Sequence, residues 1–553
     1  MKATCLFLAG ACLVASASVS NAQYFPEHRW SHGYGDTGTD AAYGVAVDGG
    51  GRVILVGSFE GSVDFGGGPL ASAGSTDVFV VLYDLYGAPV WSRRFGGGGT
   101  DVAYGVVAAS FSLGGGNWAY EFTITGSFEG TVSFGGTDLV SAGGSDGFVA
   151  RLDGAGNHTW SSRFGDAGDD AGHAISPIVP HEVTVAGSVS DAQLGTSDVF
   201  IARYNAAGAT MWSHTYGGPL DDVGRCISGG VVSGEFRDQA SFGGTPLVSA
   251  GGADVFVARY DETGAHLWSR QFGGAQDDAG LAVTGTYCTG FFRGTVNFGG
   301  GNLTSAGGED IFLLKLDANG LHQYSRRYGG TGNDAGTGIQ LASSNLNIEL
   351  VGRFAGTVNF GLNALTSAGG TDGFLSLFTD AGANRRNVRM GGTGNDTAHG
   401  ISDFHLYYPP EGLGYDVAVV GSFTNSMDLG GGPLVSAGGD DAFVVAYSET
   451  WLTPVGPSLP DDRLTISSYP NPFNPMTAIN YSLPSAGPVT VAIHDVNGAR
   501  VATLVNGEAR EAGPHEVRWR GQSDDGSTVA SGVYFARIEH AGAVQSTRLV
   551  LLK

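Results

Sequence analysis

The chain has 553 residues, 94 of them glycine and only 15% charged, with a formal net charge of −25 at pH 7. That composition favours many short strands joined by tight turns over long helices, and the acidic balance argues against nucleic acid or an anionic lipid surface as a partner. Four cysteines in a chain of this length exclude a disulfide framework.

The chain opens with Lys2, a mostly apolar run from Leu6 to Ala15 and the small residues Ser20-Asn21-Ala22. This reads as a cleavable secretory signal over residues 1–22. Cys12 suggests lipid attachment, but Ala9 stands where a lipid-acceptor motif has leucine. Cleavage removes Lys2, Cys5 and Cys12 and leaves Cys226 and Cys288, for which one bridge or two buried thiols are both open readings. No later apolar run reaches the roughly 20 residues of a membrane helix, so no transmembrane segment is expected.

From residue 30 onward a repeat dominates. Trp30, Trp91, Trp160, Trp212, Trp268, Tyr324 and Arg386 mark successive copies, and each is followed ten residues later by an aspartate: Asp40, Asp101, Asp170, Asp222, Asp278, Asp334 and Asp396. A second set, Asp77, Asp146, Asp198, Asp254, Asp310, Asp372 and Asp441, opens a hairpin whose second arm carries the next aromatic landmark. The stretch from Asp254 through Gly264 to Arg270 shows the pattern: alternating apolar and polar residues around a glycine turn. A further hairpin follows each landmark, as in Gly44–Val47 and Val53–Gly57, giving four strands per copy. The first copy supplies only a fourth strand around Trp30, and the last stops after its third, Ala442–Tyr447. The two fragments complete one another, which predicts an all-β, seven-bladed β-propeller over residues 23–448, closed by the N-terminal strand so that no sheet edge is left open. These units resemble the β-propeller repeats of exported bacterial proteins; the resemblance covers residues 27–448 and implies a fold but no activity.

Residues 449–462, with Pro454, Pro457 and Pro460, read as a linker. Residues 463–553 hold short alternating strands that fit a small immunoglobulin-like β-sandwich. Its opening, Tyr469-Pro470-Asn471-Pro472-Phe473-Asn474-Pro475, together with Tyr481-Ser482-Leu483-Pro484, Asp495-Val496-Asn497-Gly498, Ala530–Phe535 and Leu549–Lys553, resembles the C-terminal sorting domains of type IX secretion substrates and their flagellar hook-capping-like relatives. The resemblance implies recognition by secretion machinery of the outer membrane, then release or attachment at the cell surface.

Both aspartate sets should gather on one face, where hard oxygen ligands would suit calcium; the competing reading is that each carboxylate accepts backbone N–H groups in its own turn. The fold requires no cofactor, and calcium is the one candidate. Gly329–Asp334 and Gly391–Asp396 match the opening of a calcium nonapeptide but lie too far apart to stack. Gly143-Gly144-Ser145-Asp146-Gly147 has the spacing of a nucleophile elbow without its helix, and Ser145 occupies a position that varies between copies. The histidines, His181-Glu182 included, show no zinc-hydrolase spacing. The aromatic landmarks should pack between sheets, which leaves Trp118, Tyr407 and Tyr408, in insertions that break the repeat, as ligand candidates. The sequence thus points to a secreted or cell-surface interaction protein without catalysis, presenting loops to an extracellular polymer or protein. The alternatives are a hydrolase or carbohydrate-active enzyme with its site at the channel mouth, and a structural surface-layer component.

Overall fold

The computed structural model describes residues 27–114, 117–178, 181–191, 194–342, 347–408, 412–449, 464–469, 473, 476–511 and 513–552. Residues 1–26, expected as a leader and the start of the first domain, nearly all of residues 449–462, expected as a linker, and Pro470, Asn471, Pro472, Asn474 and Pro475 lie outside them. Every regular element among the described residues is a strand. The chain divides into two compact units, Met1–Trp451 and Leu452–Lys553.

In the first unit the described strands form seven four-stranded antiparallel sheets. The first sheet runs Ala41–Val47, Val53–Phe59, Asp77–Tyr83 and Pro89–Phe95. The next five begin at Val102, Ala171, Val223, Ala279 and Ala335 and repeat that order. The seventh begins at Asp396 and takes its outermost strand from the other end of the unit: Glu27–Tyr34 pairs with Asp441–Glu449, setting Trp30 opposite Ala446 and Tyr34 opposite Ala442. The first strand of every sheet touches the first strands of the two neighbouring sheets, and that of the seventh touches that of the first, so the inner strands make a closed, propeller-like ring.

Because the strands carry apolar residues on both faces, the core is seven slabs, one at each boundary. Trp91, Val80 and Phe95 of the first sheet meet Phe122, Ile124 and Phe148 of the second. Trp30 and Val444 of the seventh meet Leu55 and Phe79 of the first. The other five boundaries have the same composition. Where the third copy is short, its boundary with the second sheet has, among the described residues, no counterpart of Phe65, Phe242 or Phe298, which fill other boundaries. Phe164 and Phe200 stack directly there, with centroids 4.4 Å apart, and Gly147 leaves room for the Phe164 ring.

The insertions around Trp118 and Tyr407–Tyr408, expected as irregular loops, are regular. Both extend a hairpin, pairing Ser112 with Trp118, Tyr407 with Leu413 and Tyr408 with Gly412, because each insertion lengthens both arms together.

In the second unit Thr465–Tyr469, Thr477–Leu483 and Gly513–Trp519 form one sheet, and Arg500–Arg510, Gly487–Asp495, Gly532–His540 and Ala543–Leu551 the other. Ile479, Tyr481, Val491, Ile493, Trp519, Ile538 and Leu549 share one apolar core. Phe473, in the proline-rich opening, is buried against Trp519, and its backbone bonds Val550 and Leu552 on either side of Leu551. It acts as a bolt on the last strand.

Deleting residues 27–34 removes Trp30 from its slab and exposes the edge of Asp441–Glu449. The expected outcome is a fall in Tm of about 5 °C or more with association of the opened chains, read by thermal unfolding and light scattering; an unchanged monomer would show that the strand does not close the ring.

Candidate functional site: the sheet boundaries and the axis

The first aspartate set is built into the fold identically seven times. One oxygen accepts the N–H of the residue four before it, for example Gly97 to Asp101 at 2.8 Å and Gly274 to Asp278 at 2.8 Å. The other accepts an N–H at the end of the neighbouring strand, from Glu60, Glu129, Ser190, Arg237, Arg293, Ala355 or Thr424. Six of the seven also send their own N–H across the boundary, Asp40 to Asp440 at 2.7 Å and Asp278 to Ala253 at 2.7 Å among them. All seven side chains are fully buried. They are staples that accept backbone N–H groups, as the competing reading had it, and none lies on the surface where the calcium reading would need it.

The second set backs onto the first. Asp77, Asp146, Asp254, Asp310, Asp372 and Asp441 each accept the N–H of the alanine four before with one oxygen. The other oxygen, and that of Asp198, is buried without a hydrogen-bond partner. The carboxyl group packs against a glycine in six of the seven cases, Gly35, Gly96, Gly217, Gly273, Gly329 and Gly391, where a Cβ would collide with it. These glycines, five residues after each aromatic landmark, were not recognised as part of the constellation from sequence.

Burial, with neighbouring carboxylates adding to it, raises all seven first-set carboxyls, and burial raises Asp198, Asp254, Asp310, Asp372 and Asp441 of the second set. Four boundaries add an arginine on the second aspartate: Arg94 with Asp77, Arg163 with Asp146, Arg327 with Asp310 and Arg389 with Asp372. At three boundaries Gly33, Thr215 and Gln271 stand there instead. At those three, burial pushes Asp40, Asp222 and Asp278 up to about 7. Where the arginine is present, Asp101, Asp334 and Asp396 reach about 6.

The aromatic landmarks staple the opposite end. The indole N–H of Trp30, Trp91, Trp160, Trp212 and Trp268 donates to a turn carbonyl of the next sheet, at Leu85, Gly154, Ala206, Glu262 and Ala318. Gly87, Gly156, Gly208, Gly264 and Gly320 of those turns lie against the rings.

The positions left to vary lie on the axis. Each inner strand carries a register shift at one residue: Tyr43, Tyr104, His173, Arg225, Leu281, Thr337 and His399. A bulge re-aims the extra side chain, and these meet around the ring. Tyr43 contacts His399 and Tyr104 at centroid distances of 5.3 and 5.5 Å, and Tyr104 contacts His173 at 5.7 Å. His399 bonds Ser422 at 3.2 Å, and Arg225 forks onto Glu235 at 2.6–3.1 Å. Burial, with Arg225 and Arg353 adding to it, pushes His173 and His399 down to about 4, so both rings are neutral bases.

The rim beside the first aspartates is polarised. Glu60 and Glu129 mark the first two sheets; across the fourth to sixth sheets runs the chain Arg237–Asp277–Arg293–Glu309–Arg353, with N–O distances of 3.1, 3.9, 2.7 and 3.1 Å. Among the described residues no three His, Cys, Asp or Glu side chains group as metal ligands. His181 meets Glu121 at 3.2 Å, its ring against Phe111, away from the axis set. Ser145 lies in a strand-paired segment. Cys226 and Cys288 are buried free thiols in one slab. Trp118, Tyr407 and Tyr408 have described backbone only.

Residues 476–543 match the FlgD Ig-like domain family. No curated protein matches the chain. Among solved structures, PorZ, a surface component of the type-IX secretion system of Porphyromonas gingivalis, is 12% identical over 93% of this chain and 81% of its own, with a TM-score of 0.30. Sqt1 from Chaetomium thermophilum is 12% identical over 72% and 84%, with a TM-score of 0.33. The neuraminidase-like protein of A/bat/Guatemala/164/2009 is 9% identical over 76% and 94%, with a TM-score of 0.33. Likenesses of this size carry no argument about activity.

Two outcomes follow from the staples. The native state holds protons at Asp40, Asp222 and Asp278 that the unfolded chain, titrating near 4, has released; stability is therefore lost as pH rises through about 7. His173 and His399, neutral when folded, act in the opposite sense only below about 6.5. Thermal unfolding should give a higher Tm at pH 6.5 than at pH 8. Gln271→Arg, supplying the guanidinium missing beside Asp254, should recover about 1 kcal/mol at pH 8 and shrink that difference. If it leaves the difference unchanged, the carboxyl pair is not its source. Calcium, which would have to displace two N–H donors from each first-set carboxylate, should shift Tm by less than about 1 °C relative to chelator.

Proposed function

We propose that this is an exported protein whose residues 23–448 form a seven-bladed β-propeller acting as a non-catalytic binding module. Residues 463–553 form an immunoglobulin-like domain that takes the protein through, or attaches it at, the outer membrane. The leader, the closed ring of inner strands and the family match at 476–543 support the architecture. One observation carries the binding role: the invariant aspartates and aromatic landmarks are consumed by inter-sheet bonds, while the half-buried axial bulge residues and the partly exposed rim arginines differ from sheet to sheet. Selection for a ligand leaves that division, since a structural position repeats and a recognition position need not. Calcium has no part in this reading, and the ligand is an extracellular polymer or protein.

The test uses residues 23–553 against a panel of surface polysaccharides and extracellular proteins, with binding read by calorimetry and cleavage by release of new chain ends. Saturable binding without turnover is expected; turnover would replace the module by the hydrolase, and neither would leave the surface-layer component. In the native host, truncation after residue 448 should strand the propeller short of the cell surface, whereas normal surface display of the truncated chain would remove the sorting role.

A further inference from the structure

The rim arginines name a ligand chemistry. In a protein of formal charge −25, three guanidiniums sit on consecutive sheets, strung through two carboxylates so that the row carries one net positive charge. Arg237 and Arg293 hold the positions taken by Glu60 and Glu129 in the first two sheets: all four donate their backbone N–H to a first-set aspartate. The backbone role is therefore constant, and only the side-chain charge has been reversed. Glu309 is buried and gripped by Arg293 and Arg353, which fixes the row, while the three arginines stay about a third or more exposed. A guanidinium has five N–H donors, and these ion pairs occupy only part of them.

We propose that this row binds a polyuronate, a polysaccharide bearing carboxylates on its sugar rings, with the adjoining axial side chains receiving part of the sugar; the proposal rests on the binding-module reading. Carboxylates match the guanidinium forks. The half-buried aromatic arc of His399, Tyr43, Tyr104 and His173 starts at His399, which feels the charge of Arg353, and runs over the seventh and first three sheets; with Ser422 it offers rings and hydroxyls of the kind sugars use. A polymer of high charge density, such as a nucleic acid, would meet Glu60, Glu129 and the net negative field. A polymer with one charge per sugar ring needs only the local row.

The experiment titrates residues 23–553 with polygalacturonate in chelator at about 50 mM salt, beside polyglutamate and neutral dextran. Chelator removes calcium bridging to any carboxylate. Polygalacturonate should bind and the other two should not. Combined Arg237→Gln, Arg293→Gln and Arg353→Gln should weaken binding by about tenfold or more. The exposed pair Arg500→Gln and Arg520→Gln, which also removes positive charge, should leave it unchanged. Because the triple variant leaves Glu309 unpaired, Arg293→Lys is measured with it; it keeps the charge and should bind more weakly than the parent while retaining its Tm. Equal binding of polyglutamate, indifference to the rim arginines, or no binding of polygalacturonate would overturn the proposal. Binding of some other polymer or protein of the panel in that last case would leave the binding module standing; no binding of any would remove both.

Discussion

Each sheet in the first unit is joined to the next by a single chain crossing and shares no strand ladder with it, so the seven boundaries must be held by side chains and by isolated hydrogen bonds that cross them. Apolar slabs supply most of the attraction but are indifferent to small slips and rotations. The aspartate of each first strand removes that freedom. Its carboxylate collects two backbone N–H groups, and in six of the seven its amide reaches across to the preceding sheet. Breaking one such staple would leave backbone donors buried and unpaired, a cost of about 1–3 kcal/mol each. The indole bonds act at the other end of the same boundaries, so two fixed points set each sheet's angle to the next.

This arrangement concentrates charge where water cannot reach it. Packing a second carboxylate behind the first leaves an oxygen with no proper donor at every boundary, and only a glycine allows the approach. Arginine offsets the charge at four boundaries and not at three, and the most raised carboxyls are at those three. The copies have diverged in how they neutralise the pair while keeping the pair itself, which means the hydrogen-bond geometry is the constrained quantity and the charge is what the fold tolerates.

Much of this was legible because it is periodic. The ten-residue spacing from landmark to aspartate placed the first strands, and the half-copies at either end predicted that the strand around Trp30 would pair with Ala442–Tyr447, as Glu27–Tyr34 does with Asp441–Glu449. Burial of the aspartates was missed, since sequence shows that they recur on one face but not that the next sheet covers them. The insertions at Trp118 and Tyr407 read as loops because sequence cannot show that both arms lengthen in register. The rim was overlooked for a different reason. Its signal lies in the residues around a phenylalanine found in six of the seven second strands, Gly57-Ser58-Phe59-Glu60 against Gly234-Glu235-Phe236-Arg237 and Gly290-Phe291-Phe292-Arg293, and a search for what repeats passes over a position informative through its changes.

The C-terminal unit shows the same tension between motif and structure. The proline-rich opening resembles a sorting signal, yet its one described interior residue, Phe473, is buried against Trp519 and bonds the backbone beside the final strand on both sides. A side chain so engaged cannot also be offered to a receptor without opening the domain. What the opening does in this structure is hold the last strand, Ala543–Leu551, in its sheet. Motif and fold are reconciled if the signal is the folded sandwich itself.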